Sequence, residues 1–320
     1  MSQSWNSPER EITPESTFMT RRRWLGLGAT ALGLGAVGGG LYWRFRPGTK
    51  AEVLGTEAEN PPGADLYPAA PNGEFVDAGR RMTIDTDAAS HTNFYEFSSL
   101  KDVWRHVEPF HPTPWKVEIA GMVARPRTYD IDDLVRAFPL EERVYRLRCV
   151  ERWAIVIPWT GFPLAALLNK AEPLPGAKYV RFVTFERPSE ASKQRNRSMP
   201  WPYTEGLTLA EATNPLAFLA TGIYGKPLIK QHGAPIRLVV PWKYGFKSGK
   251  SIVRIELTDE QPATFWNTLQ PREYDFEANV DPDKPHPRWS QKLERMLGTG
   301  EEFPTKVYNG YGEWVAKLYG

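Results

Sequence analysis

The chain has 320 residues, 24% of them charged, and a formal net charge of +2. That length allows one or two domains with a substantial core. Its basic residues are scattered among acidic ones, which excludes the basic stripe typical of a nucleic-acid-binding protein. The 29 Pro, 26 Gly and 12 Trp point to a turn-rich, irregular fold rather than a helical bundle. A single Cys excludes an internal disulfide and a multi-cysteine zinc or iron–sulfur site. Any metal on that Cys needs further donors from a cofactor, from other residue types or from water.

The first element is an address. Thr20-Arg21-Arg22-Arg23-Trp24-Leu25 precedes a Gly-, Ala- and Leu-rich stretch from Gly26 to Trp43. A basic segment followed by such a stretch is the pattern of an export signal, and the adjacent arginines match the twin-arginine type. We assign residues 1–45 to this signal, cleaved or retained. An uncleaved stretch is long enough to anchor the chain in a bilayer. Twin-arginine export carries proteins that fold before crossing, often around a cofactor. Residues 46–89 hold Pro61-Pro62-Gly63 and Pro68-Ala69-Ala70-Pro71-Asn72-Gly73 and read as an extended surface linker.

The catalytic body is expected over residues 90–320. Trp115–Ile119 alternates as a strand. Asp130 caps a short helix over Ile131–Ala137, which stops before Pro139. Val144–Val150 reads as a strand running into a loop at Cys149. Phe162-Pro163-Leu164 opens a helix through Leu168. Tyr179–Phe185, Ile236–Val240 and Ser251–Leu257 read as further strands. Short strands and helices alternate without a regular βαβ period, which predicts an α+β fold with mixed sheets.

Cys149 lies in Tyr145-Arg146-Leu147-Arg148-Cys149-Val150-Glu151-Arg152-Trp153. A lone Cys is often an inert buried hydrophobe. Here Arg146, Arg148 and Arg152 are expected to crowd the sulfur and favour the thiolate. A thiolate serves as a nucleophile paired with a His base, for which His91, His106, His111, His232 and His286 are candidates. It serves equally as a soft ligand to copper, iron or molybdenum. A dithiolene cofactor would supply the sulfurs that one Cys cannot.

Arg146-Leu147-Arg148-Cys149-Val150-Glu151 resembles the molybdenum-ligand loop of the sulfite-oxidase fold. More closely, the chain resembles the catalytic subunits of bacterial periplasmic protein-methionine-sulfoxide reductases. The matching blocks are Asn93-Phe94-Tyr95-Glu96-Phe97, Phe138-Pro139-Leu140-Glu141-Glu142-Arg143, Pro158-Trp159-Thr160-Gly161-Phe162-Pro163-Leu164, Gly233-Ala234-Pro235-Ile236-Arg237-Leu238, Pro241-Trp242-Lys243-Tyr244-Gly245-Phe246-Lys247 and His286-Pro287-Arg288-Trp289-Ser290. Each is weak alone; together, in the family's order, they are specific.

The resemblance implies one nucleotide-free molybdenum–molybdopterin per chain, with Cys149 as both metal ligand and catalytic residue. It implies cofactor contacts at Asn93, Tyr95, Glu96, Thr184, Arg237, Ser248, Gly249 and Lys250. Thr92 and His232 stand where the family often has Asn, and are carried over as contacts in those places. Arg237 and Lys250 suit a pterin phosphate, Gly249 a close backbone approach to it, and Glu96 and Thr184 the heterocycle. His232 could ionise beside the phosphate. Trp242 and Tyr244 form either an aromatic wall around substrate or core packing, and Glu151 and Arg152 could simply pair on the surface. The implied activity is reduction of methionine sulfoxide in periplasmic proteins, with electrons from a membrane haem b subunit. Two alternatives stand beside it: a sulfite dehydrogenase of the same fold, which needs an anion pocket at the metal, and a non-enzymatic envelope binding protein.

Overall fold

In chain order the first strands are β1 (Lys116–Gly121), β2 (Arg127–Asp130), β3 (Glu141–Arg148) and β4 (Trp153–Pro163). Then come β5 (Tyr179–Thr184), β6 (Thr204–Thr208), β7 (Phe218–Ile223) and β8 (Lys226–Pro227). The last are β9 (Arg237–Val239), β10 (Ile252–Thr258), β11 (Leu293–Met296) and β12 (Glu302–Pro304). The computed structural model describes residues 49–56 and 60–320, so the expected twin-arginine signal over residues 1–45 lies outside the described residues.

Two sheets form. One runs β2-β1-β10-β5-β6; the other runs β12-β11-β4-β7-β8, with β3 on β4 and β9 on β7. The β1–β10 and β11–β4 pairs are parallel and the rest antiparallel. The expected α+β class with mixed sheets therefore holds. Alternation explains β5: Val180, Phe182 and Thr184 point inward, while Tyr179, Arg181 and Val183 are half-exposed. Every residue of β7 is buried, as suits a strand with neighbours on both edges. Trp115 is buried beneath the first sheet and donates its indole N–H to the carbonyl of Ile252 at 2.7 Å.

The helices are short. They include α1 (Lys50–Leu54), α2 (Asp85–Ser90), α3 (Ile131–Arg136) and α4 (Leu164–Ala171). Asp130 caps α3 by accepting from the Asp132 N–H at 3.1 Å. In α4, Leu164, Leu167, Leu168 and Ala171 form one buried stripe at helical spacing. That helix starts two residues later than expected, because Phe162 and Pro163 still belong to β4. Among the described residues no helix is long and apolar enough to cross a membrane.

The stretch that reads as a linker is tied to the body. Asn72 N donates to Glu142 O at 2.8 Å, Val144 N to Phe75 O at 2.7 Å, and Thr83 N to Val156 O at 2.9 Å. The Tyr67 hydroxyl reaches Thr221 Oγ1 at 2.7 Å, and Phe75 is buried against Tyr145. Its low hydrophobic periodicity has a simple cause: it uses backbone hydrogen bonds and single aromatic anchors, not a repeating apolar face.

Candidate active site

β3 and β4 form a hairpin in register from Glu141↔Gly161 to Arg148↔Ala154. Cys149–Arg152 is its turn, closed by Arg152 N donating to Cys149 O at 3.0 Å, with Arg152 at φ 75°. Cys149 thus sits at the tip of a rigid ribbon, with its side chain buried. Its Sγ accepts from Glu151 N at 3.4 Å and Asn93 Nδ2 at 3.5 Å, and lies 3.6 Å from Glu151 Oε2. That same carboxylate oxygen receives Lys101 Nζ at 2.5 Å, Asn93 Nδ2 at 3.1 Å and Trp153 Nε1 at 3.1 Å. Lys101 Nζ also donates to Asn93 Oδ1 at 2.5 Å.

The three arginines do not act on the sulfur as their sequence positions suggest. Arg146 turns away to Asn309 and to the carbonyl of Ala78. Arg148 donates to the carbonyls of Cys149 and Leu293 and to Gln291, beside Glu294 at 3.2 Å. Arg152 faces Leu293 O and Glu302. Burial pushes the Cys149 thiol up to about 12, and the Glu151 carboxylate adds to the rise. Lys101 and Arg148 pull it back by less. Strand alternation is the reason: Arg146 and Arg148 lie on the same face of β3, which is packed rather than open.

Among the described residues no His hydrogen-bonds the thiol, so the nucleophile–base pair that the sequence left open does not form. His91 meets Trp153 edge-on at 5.1 Å, and burial pushes it down to about 4. His106 and His111 lie beside Asp102 and Glu190, and His286 stacks on Trp289 at 3.9 Å. A buried neutral thiol is a poor nucleophile, but a cation can displace its proton and bind it as thiolate.

A cleft with about 1010 Å³ of empty space opens beside Cys149. It is lined by Thr92, Asn93, Tyr95, Glu96, His232, Arg237, Ser248, Gly249 and Lys250, all named from the sequence. Thr184 stands one layer back, donating to Glu96 Oε1 at 3.3 Å. The cleft forms where the sheets meet: Arg237 on β9 bridges Lys250, two residues before β10. Gly233, at φ 94°, must be Gly, because a Cβ there would sit 2.7 Å from the Lys250 side chain.

At this end of the cleft the charges are incomplete. Among the described residues the Arg237 guanidinium donates only to carbonyls, those of His232 at 3.1 Å, Leu238 at 3.3 Å and Ser248 at 3.4 Å. Burial lowers it to about 9. Lys250 faces Glu96; burial lowers the amine and raises the carboxyl, and Arg237 pushes Lys250 further down. Burial, Arg237 and Lys250 push His232 down to about 3, which favours the neutral imidazole in the protein alone. The Ser248 hydroxyl is occupied, accepting from Val240 N at 3.2 Å.

Sequence reasoning placed some groups wrongly and missed others. Trp242 is fully buried, donating to the Tyr319 hydroxyl at 2.8 Å, and Tyr244 packs behind Cys149; neither lines the cleft. Its aromatic wall is instead Tyr95, Trp153, Tyr203, Phe246, Trp266 and Tyr274. Glu151 pairs at the cleft with Lys101, not with Arg152. No local pattern flags Lys101, which is fifty residues from Glu151.

A model described as the oxidoreductase molybdopterin binding domain matches residues 105–266. The protein-methionine-sulfoxide reductase catalytic subunit MsrP of Burkholderia mallei (strain ATCC 23344) is 47% identical over 98% of this chain and 92% of its own length. The chain belongs to the molybdopterin-binding oxidoreductases. Among solved structures, the sulfane dehydrogenase SoxCD from Paracoccus pantotrophus aligns with TM-score 0.44 and 15% identity, covering 74% of this chain and 62% of its own.

The residues present fit the family's cofactor. Glu96 lies beside Lys250, while the Arg237 guanidinium bonds carbonyls, so two buried cations face one carboxylate and suit an anionic phosphate. The buried Thr92 Oγ1 has no hydrogen-bond partner among the described residues. At Gly245 and Gly249 an added Cβ would meet no protein atom closer than 3.7 Å, so a side chain would take up cleft space. Among the described residues no group of three or more His, Cys, Asp or Glu could hold a metal, so a metal on Cys149 needs a cofactor's donors.

Proposed function

We propose that this oxidoreductase uses molybdenum–molybdopterin to reduce methionine sulfoxide residues to methionine in periplasmic proteins. The observation that carries this is the single Cys at a hairpin tip, opening on a cleft whose far end sets two buried cations, Arg237 and Lys250, against one carboxylate, Glu96. We assign the metal to Cys149, and the pterin, without a nucleotide tail, to Thr92, Tyr95, Glu96, His232, Arg237, Ser248, Gly249 and Lys250. Thr184 supports Glu96, and Asn93 faces the metal rather than the pterin tail.

When bound, the cofactor supplies two-electron oxygen-atom transfer. The chain's own groups bind and orient the sulfoxide. Burial and the nearby Glu151 charge hold the Tyr95 hydroxyl protonated, so it can donate to a sulfoxide oxygen. Burial opposes the Glu151 charge. The Lys101 ammonium and the bonds from Lys101, Asn93 and Trp153 outweigh it, so the group stays ionised beside Cys149. A fixed carboxylate there disfavours an anion such as sulfite. The arginines that kept sulfite oxidation open are committed elsewhere. A neutral sulfoxide beside the cleft's aromatic wall of Tyr95, Trp153, Phe246 and Trp266 is the better match.

The relative's name, catalytic subunit, supports a separate electron donor. We assign that role to a membrane haem b protein and place the chain in the periplasm, on the strength of the twin-arginine signal. The test is elemental analysis with steady-state turnover. One molybdenum per chain, and sulfoxide reduction by reduced viologen without sulfite oxidation by cytochrome c, is expected. Cys149→Ser should lose both metal and turnover; retained turnover refutes the assignment.

A further inference from the structure

The carbonyls flanking the Cys149 peptide are held by side chains distant in sequence. Arg148 Nη1 donates to the Cys149 carbonyl, while Trp289 Nε1 and Gln291 Nε2 donate to that of Val150 at 2.8 and 2.9 Å. Arg148 is fully buried, and its Nε lies 3.2 Å from Glu294 Oε2. The other oxygen of Glu294 pairs with Arg80, whose side chain is 8% exposed and also lies over the Phe303 ring at 4.2 Å. Arg146, buried in the same region, donates to Ala78 O in the same N-terminal strap as Arg80.

Behind the sulfur there is thus a buried row of Arg148, Glu294 and Arg80, with one negative charge between two positive ones. In a low-dielectric interior such charges act over distance, and outer groups that hold a ligand tune its metal. We propose that Arg80 and Glu294 are positioning residues for Cys149: through Arg148 they hold the ligand's backbone and set the electron affinity of the metal bound there. The N-terminal strap is then part of the metal centre's support. This rests on the assignment of Cys149 as the molybdenum ligand.

Charge gives a signature that packing alone does not. Glu294→Gln leaves two guanidiniums uncompensated, which favours the more electron-rich metal. Arg80→Met leaves the carboxylate less compensated, which disfavours it. The experiment is a redox titration of purified holoenzyme, following the Mo(V) electron paramagnetic resonance signal, with metal content measured on the same samples. Glu294→Gln should raise the Mo(V)/Mo(IV) midpoint potential and Arg80→Met should lower it, at one molybdenum per chain. Arg80→Lys should restore the wild-type value, and Arg254→Met, on the other sheet, should leave it unchanged. If Glu294→Gln does not fold, Arg80→Met and its rescue by Lys decide. Unmoved potentials, or shifts of the same sign in both variants, overturn the proposal while leaving the proposed function intact. A wild-type protein without molybdenum, or an unchanged Mo(V) spectrum in Cys149→Ser, overturns the ligand assignment and this inference with it.

Discussion

Lys101 is the residue that most changes the picture at Cys149. One ammonium holds both the Glu151 carboxylate and the Asn93 amide beside the sulfur. Lys101→Met should keep molybdenum but lower kcat/KM for methionine sulfoxide about 10- to 100-fold, the usual range for groups that orient a metal's surroundings; viologen-linked turnover checks it. His232 makes a different prediction, on pH. The unfolded chain protonates it below about 6.5, whereas the folded chain refuses that proton down to about 3. The unfolded state therefore binds more protons in that window, and stability falls as pH drops from 6.5 toward 3. In cofactor-free protein, His232→Asn should remove up to about 1.4 kcal/mol per pH unit of that slope, read from denaturant unfolding at several pH values. That these residues line one cleft was legible because they lie in short consecutive runs, such as Tyr95-Glu96 and Ser248-Gly249-Lys250. The directions of Arg146 and Arg148 were not, because their partners Asn309 and Gln291 are 163 and 143 residues away.

Among the elements, β4 was the least visible. It is eleven residues long and carries Pro158, Gly161 and Pro163, which ordinarily break a strand signal. The structure accommodates them. The register with β7 shifts between Thr160 and Gly161, and Gly161 packs so closely that a Cβ would lie 2.0 Å from Leu219 O. Gly161→Ala should cost about 3 kcal/mol or more, because β4 and β7 must separate to admit it; a thermal melt measures the loss. α3 was legible for the opposite reason, since its cap and its apolar spacing are both local. Asp130→Ala should cost about 1 kcal/mol in a denaturant titration.

Taken whole, the molecule relies on its N-terminal strap more than composition suggests. Phe75 fills a site against Tyr145, and Arg143 lies over its ring at 4.5 Å. Phe75→Ala should destabilise the fold by about 3–5 kcal/mol, read as a lowered unfolding midpoint. The α+β class, the one candidate metal ligand and the runs of residues that line the cleft could all be read along the chain, since each depends on residue type and near-neighbour spacing. Folding settled the rest: which arginines face away from the sulfur, which aromatics line the cleft, and that Lys101 joins Glu151. Those choices depend on strand register and on partners distant in sequence, and no local pattern encodes a contact whose other half is fifty or more residues away.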